Sequence, residues 1–148
     1  MVIHFTVYGE AVAQGRPRAT TLGGHVKMFD PEKSANYKTY VRLVAQEHRP
    51  QHLLTCPLKV QVDIYKAMPK SLPVYKREAA ERGEYWPTTK PDVDNVVKGV
   101  MDALTQVIWL DDTQVVELTV RKFYGDPRVE ICIETLPEPV APVKRKKG

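Results

Sequence analysis

Between Lys90 and Asp112 the chain reads K-P-D-V-D-N-V-V-K-G-V-M-D-A-L-T-Q-V-I-W-L-D-D, which gathers Asp92, Asp94, Asp102, Asp111 and Asp112 around two lysines. Pro91 pushes Lys90 towards an extended conformation. In an extended run, residues two apart point the same way, so Asp92 and Asp94 share a side with Val93 turned from them. From Asn95 onward, Val96, Val97, Val100, Met101 and Leu104 recur at helical spacing, which predicts a helix ending near Gln106 with Asp94 as its N-cap. Asp94, Lys98 and Asp102 then climb the face opposite the apolar stripe at i, i+4 and i+8. Asp111 and Asp112 precede a β-pattern, and if that strand lies beside the chain entering at Lys90, the second acidic pair reaches the first. Clustered carboxylates repel one another unless a cation sits among them. Mg²⁺, with Mn²⁺ as the alternative ion, takes such hard oxygen ligands and can polarise a phosphodiester and activate water. The same residues also suit a structural role, with Asp-x-Asp-Asn as a cap, Asp111-Asp112 as a turn and Lys98 as a partner for Asp102.

The elements that must position these groups follow from periodicity. Val2–Tyr8 alternates as a half-buried strand, with His4 on its outer side. A Gly-rich polar loop carrying Arg16 and Arg18 leads to a short strand around His25–Phe29 that carries Lys27. Arginines on such an arm suit phosphate, and they equally suit a solvated loop. Asp30-Pro31 opens a helix with Tyr37, Tyr40, Val41, Val44 and Ala45 inward, which Arg49-Pro50 ends. Lys33, Lys38 and Arg42 are expected on its wet side. Leu58, Val60, Val62 and Ile64 mark a second clear strand. Past Ser71 and Pro73 a short charged helix runs to Arg82, with Gly83 as its stop. With Lys70, Lys76 and Arg77 this region reads as a flap beside the acids, and Trp86 is expected to pack beneath it in preference to stacking on a base. Val116–Val120 and Val129–Ile133 read as a β-hairpin turned by Gly125-Asp126-Pro127.

The chain has 148 residues, which suits one core and one domain. Lys plus Arg number 22 against 18 Asp plus Glu, a net charge of +4. This lean supports a polyanionic partner only weakly. Cys56 and Cys132 lack metal-ligand spacing and are expected to be reduced. The first residues, M-V-I-H-F-T-V-Y-G-E, lack a basic n-region and no stretch approaches the length of a membrane span, so the expectation is a cytoplasmic protein without membrane association. Residues 137–148, with Pro137, Pro139, Pro142 and Lys144-Arg145-Lys146-Lys147, read as a disordered basic tail behind a domain spanning 1–136, equally suited to adding salt-sensitive attraction to DNA and to solubilising the chain.

K-P-D-V-D-N-V-V-K-G-V-M-D-A-L, followed by W-L-D-D-T-Q-V-V, closely resembles the core motif of the RusA family of Holliday junction resolvases, common in prophages. The resemblance implies that Asp92, Asp94 and Asp112 are metal-binding catalytic aspartates and that Lys98 is the active-site lysine. Asp111 falls on a neighbouring metal-site acid, and Asp102 on a supporting helix position. G-R-P-R resembles the N-terminal arm of phage-type members. The expectation is therefore a single α+β (mixed α/β) domain, with helices on one mixed sheet of about four or five strands. Its expected activity is that of a Mg²⁺-dependent endodeoxyribonuclease, a homodimer nicking four-way DNA junctions in pairs for recombination and repair, with no small-molecule cofactor. Arg16, Arg18, Lys27, Lys70 and Lys76 are the expected DNA contacts. The alternatives are a non-catalytic branched-DNA-binding protein, or a Mg²⁺-dependent nuclease for flaps or forks.

Overall fold

The computed structural model describes residues 1–13, 19–22, 25–28 and 32–142, excepting the side chains of 19–22, 25–28 and 32–34. In chain order the elements are β1 (Val2–Tyr8), β2 (Ala19–Leu22), β3 (His25–Met28), α1 (Glu32–Gln46), β4 (Leu58–Lys66), α2 (Val74–Glu81), α3 (Val93–Leu104), a 3-10 turn (Asp112–Gln114), β5 (Val115–Tyr124) and β6 (Arg128–Thr135). The main sheet has four strands in the order β1-β6-β4-β5, and β2 and β3 form a separate antiparallel pair. This is the α+β domain that the alternating and helical patterns predict. The strand β2 is an addition, because Ala-Thr-Thr-Leu is too short and polar to announce itself by alternation. Asp30-Pro31, Arg16 and Arg18 lie outside the described residues.

One face of the main sheet holds the core. Phe5 and Val7, then Leu58, Val60, Val62 and Ile64, then Val129, Ile131 and Ile133 all turn to this side. Val41 and Ala45 of α1 close over them with Val96, Val100, Ala103 and Leu104 of α3, and Ile108 and Trp109 fill the end. The opposite face carries ion pairs in place of a second layer. Lys59 meets Glu117 at 3.1 Å, and Arg121 clasps Asp63 through Nε and Nη2 at 2.8 and 2.9 Å. The Arg128 guanidinium lies 3.7 Å from the Tyr65 ring centroid. A sheet apolar on one side only needs a single helical layer.

The expected hairpin of β5 and β6 is not formed. β4 lies between them, parallel to β5 and antiparallel to β6. Alternation marks a strand's faces but not its neighbours, and β4, with its core-facing side fully apolar, takes the central position. The turn at Gly125 therefore crosses the end of β4, where Gly125 N–H donates to Lys66 O at 2.9 Å. Two parallel strands require a crossover, and α3 supplies it. α3 consequently runs back from the carboxyl ends of β4 and β5 towards their amino ends.

Two boundaries also differ from expectation. α3 begins at Val93, with Asp92 in the N-cap position instead of Asp94, because Asp92 O already accepts the bond from Val96 N–H at 3.1 Å. It ends at Leu104, short of Gln106, because Thr105 is already extended with ψ 131°; Gln106 beyond it is left-handed with φ 69°.

Candidate functional site

The acidic pair stands at the amino end of α3, on a loop held from below. Lys66 closes β4 and Lys122 lies near the end of β5, so parallel pairing brings their side chains to one edge. Lys66 Nζ donates to Thr89 Oγ1 and to Lys90 O, both at 2.6 Å. Lys122 Nζ donates to Thr89 O at 2.7 Å and to Pro91 O at 3.0 Å. Two ammonium groups thus bind the turn directly ahead of Asp92. Sequence reading missed both lysines; the only signal was a lysine at or near the close of each apolar strand, which became meaningful once the two strands paired in parallel.

Asp92 and Asp94 are both exposed. They do not share a strand face, since Asp94 already lies in the first helical turn. They flank the unpaired N–H groups of that turn instead, where negative charge is stabilised. Asn95 Nδ2 reaches Asp92 Oδ2 at 3.5 Å, a long contact that leaves the carboxylate accessible. Lys98 is exposed one turn further along. Asp102 is bridged to Lys38 of α1 at 3.6 Å, and Arg42 donates to the carbonyls of Asp102 and Ala103, each at 3.4 Å. Lys38 and Arg42, expected on a wet face, therefore join α1 to α3, because the carboxyl end of α3 offers them carbonyls and a carboxylate.

The second acidic pair has two different tasks. Asp111 caps the 3-10 turn: its Oδ1 accepts from Thr113 N–H at 3.0 Å, and its own N–H donates to Gln114 Oε1 at 2.7 Å. Gln114 Nε2 then donates to Leu54 O and Cys56 O at 2.8 and 3.1 Å, fastening the turn to the core. The hydrogen bond from Thr113 N–H holds the Asp111 carboxyl below its usual range. The adjoining Asp112 carboxyl is pushed up, first by its hydrogen bond with Asp111, then by partial desolvation and the charges of Asp111 and Asp102.

It is Asp102, at the far end of α3, that lies near Asp112. Asp94 and Asp102 are eight residues apart on α3, about 12 Å of rise, so Asp112, on the side of Asp102, stands away from Asp92 and Asp94 within one chain. β5 does lie beside the chain at Lys90, as the sequence argument required, but by its carboxyl end, whereas Asp112 precedes its amino end. Among the described residues no three His, Cys, Asp or Glu side chains gather closely enough to hold an ion.

Of the basic residues expected to meet DNA, Arg16 and Arg18 lie outside the described residues, as does the side chain of Lys27, whose backbone belongs to β3. Lys70 is exposed in the turn before α2, its carbonyl held by Arg77 Nη2 at 3.1 Å. Lys76 projects from α2 with Nζ 5.5 Å from the Tyr85 ring centroid. Trp86 is not packed beneath this region as expected; it is 53% exposed. Tyr85 takes the packed place by stacking on Tyr124. Cys56 and Cys132 are both free thiols. Among the described residues no helix is long and apolar enough to cross a membrane.

The chain is a two-layer α+β domain, one sheet under one layer of helices, that displays paired acids at a helix amino end on a lysine-held loop, where a hydrated cation and a phosphate could be held. The family model described as Endodeoxyribonuclease RusA matches residues 9–134, and the chain belongs to this family of Holliday junction resolvases. It is 56% identical over 134 residues to the uncharacterized protein YqaN of Bacillus subtilis (strain 168), covering 88% of this chain and 94% of the relative. It is 27% identical over 112 residues to the crossover junction endodeoxyribonuclease rusA of Lactococcus phage r1t, covering 74% of this chain and 79% of that one. Among solved structures, IspF of Plasmodium falciparum in its CDP complex aligns over 89% of this chain and 92% of its own, at 9% identity and a TM-score of 0.29, too low to bear on the fold.

Proposed function

We propose that this chain is a Mg²⁺-dependent endodeoxyribonuclease that resolves four-way DNA junctions by paired nicks, acting as a homodimer in the cytoplasm. The observation that carries the reading is the exposed Asp92–Asp94 pair on its lysine-held loop, in a chain of the RusA family. Two carboxylates at a helix amino end fit a hard, largely hydrated cation, which needs few protein oxygens. A bound Mg²⁺ would polarise the phosphodiester and lower the pKa of the attacking water. Lys98, one turn beyond Asp94, would hold a non-bridging phosphate oxygen as charge develops there. Lys70 and Lys76 would track the backbone, together with the arm that carries Arg16, Arg18 and Lys27.

Asp112 would serve the acidic pair of a second copy. β5 is an edge strand of ten residues whose outer side has no strand partner among the described residues, with Val116 65% and Leu118 44% exposed. Long apolar edges are ordinarily covered. A two-fold axis beside β5 would pair it antiparallel with its copy, setting the amino end of one β5 against the carboxyl end of the other. Asp112 of one copy would then approach the loop that Lys122 holds in its partner. Asp111, committed to its cap, would support Asp112 in preference to binding the ion itself. Two sites related by a two-fold axis suit two symmetric nicks.

The test is strand-resolved cleavage of a labelled four-way junction beside linear duplex, with Mg²⁺ and with EDTA, by wild type and Asp94→Asn. Metal-dependent symmetric nicks on the junction, reduced at least a thousandfold in the folded variant, are expected. Tight junction binding without nicking by the wild type would overturn the reading in favour of a non-catalytic binding protein. Equal cutting of flaps or forks would replace the junction as substrate.

A further inference from the structure

The segment that leads into the acids displays an indole. Trp86 is 53% exposed while the other tryptophan, Trp109, is 0% exposed. Exposed aromatic side chains are ordinary when scattered, and Tyr8 and Tyr75 are more exposed still. What distinguishes Trp86 is that the chain on both sides of it is fixed. Tyr85 stacks on Tyr124 with ring centroids 5.7 Å apart and planes 16° from parallel, and Lys76 caps the Tyr85 ring. Pro87 is buried. Thr89 is held through its hydroxyl by Lys66 and through its carbonyl by Lys122. The indole therefore belongs to a segment anchored on both sides, and the same lysines that hold the acidic loop hold this segment.

The surroundings favour a polyanion. Lys90, Lys70 and Lys76 belong to the same flap and loop, and the carboxylate nearest in sequence, Glu84, is already paired with Arg82 at 3.2 Å. A flat aromatic face beside cationic side chains binds an unstacked nucleobase whatever its sequence. In continuous duplex both faces of every base are covered by neighbours. At a branch point the strands change partners, and a base there can lose a neighbour. We infer that Trp86 is the stacking platform for such a base, and so a residue by which the site distinguishes branched DNA from linear duplex. This deepens the nuclease reading above and rests on it.

The experiment uses the full chain without divalent metal, so that DNA is bound and not cut. Acrylamide quenching of tryptophan fluorescence reports on Trp86, because Trp109 is buried. A four-way junction is expected to protect Trp86 from quencher, with linear duplex giving little protection. Trp86→Ala should weaken junction binding about tenfold and duplex binding less than twofold, and Trp86→Phe should recover most of the loss. Circular dichroism and melting of both variants establish that they fold. If Trp86 stays as quenchable in a junction complex as in the free protein, or if Trp86→Ala weakens junction and duplex equally, the inference is overturned while the nuclease reading stands. If the wild type neither binds nor cuts junctions, both fall.

Discussion

Asp94 and Asp111 show how one residue type takes two roles in the same short stretch. Asp94 sits beside the free N–H groups of a helix start and stays exposed, while Asp111 is used up in a reciprocal cap with Gln114. The sequence showed which residues were acidic and at what spacing. It did not show which acids would be engaged by backbone, because that depends on helix starts that moved by one or two residues. Here the Asp92 carbonyl accepts the first bond of α3, so Asp94 falls inside the helix. The Asp111–Asp112 pair permits a direct prediction. Since the hydrogen bond with Asp111 is the leading cause of the raised Asp112 carboxyl, with the Asp111 charge adding to it, Asp111→Asn removes the shared proton and the charge, and the Asp112 pKa should fall towards the ordinary carboxylate range. Carboxyl-carbon NMR titration measures it; an unchanged or higher value would place the cause elsewhere. Asn caps about as well as Asp, so Asp111→Asn should leave the 3-10 turn and the fold in place.

At the scale of elements, the crossover through α3 decides where everything lies. It places Asp92 at the carboxyl edge of the parallel pair β4–β5, where Lys66 and Lys122 can reach its loop, and it carries Asp112 to the opposite edge. Apart from β2, the strands and helices themselves were legible from alternation and from the apolar stripe of α3. Their neighbours were not: a Gly-Asp-Pro turn between two alternating runs reads locally as a hairpin, and only the demand for a central apolar strand puts β4 between β5 and β6. The lysine clamp is a consequence of that pairing and was invisible for the same reason. Lys122→Met should remove two hydrogen bonds from the Thr89–Pro91 turn, costing about 1 kcal/mol and lowering the melting temperature by roughly 3 °C. Amide exchange of Thr88–Asp92 should speed up, with the β4 and β6 amides unchanged. Slow exchange in the variant would show that the loop holds without its ammonium.

For the whole molecule, Asp112 lies on the side of Asp102 and away from Asp92 and Asp94, so on the proposed reading an ion held by all three acids would draw Asp112 from a second copy. The open edge of β5, with Val116 and Leu118 exposed, offers the surface on which a second copy would complete the site. A four-way junction, itself nearly two-fold, would then meet one composite site for each strand to be cut. The most direct test is to mix two inactive proteins. Asp94→Asn and Asp112→Asn are each expected to fold, bind junction and fail to nick it. Unfolded and refolded together, about half of the dimers should be mixed by random pairing, and each mixed dimer contains one intact site and one doubly altered site. The account predicts that Mg²⁺-dependent nicking returns on mixing, as single nicks without paired resolution. Persistent inactivity in mixtures shown by mass to contain the mixed dimer would contradict it.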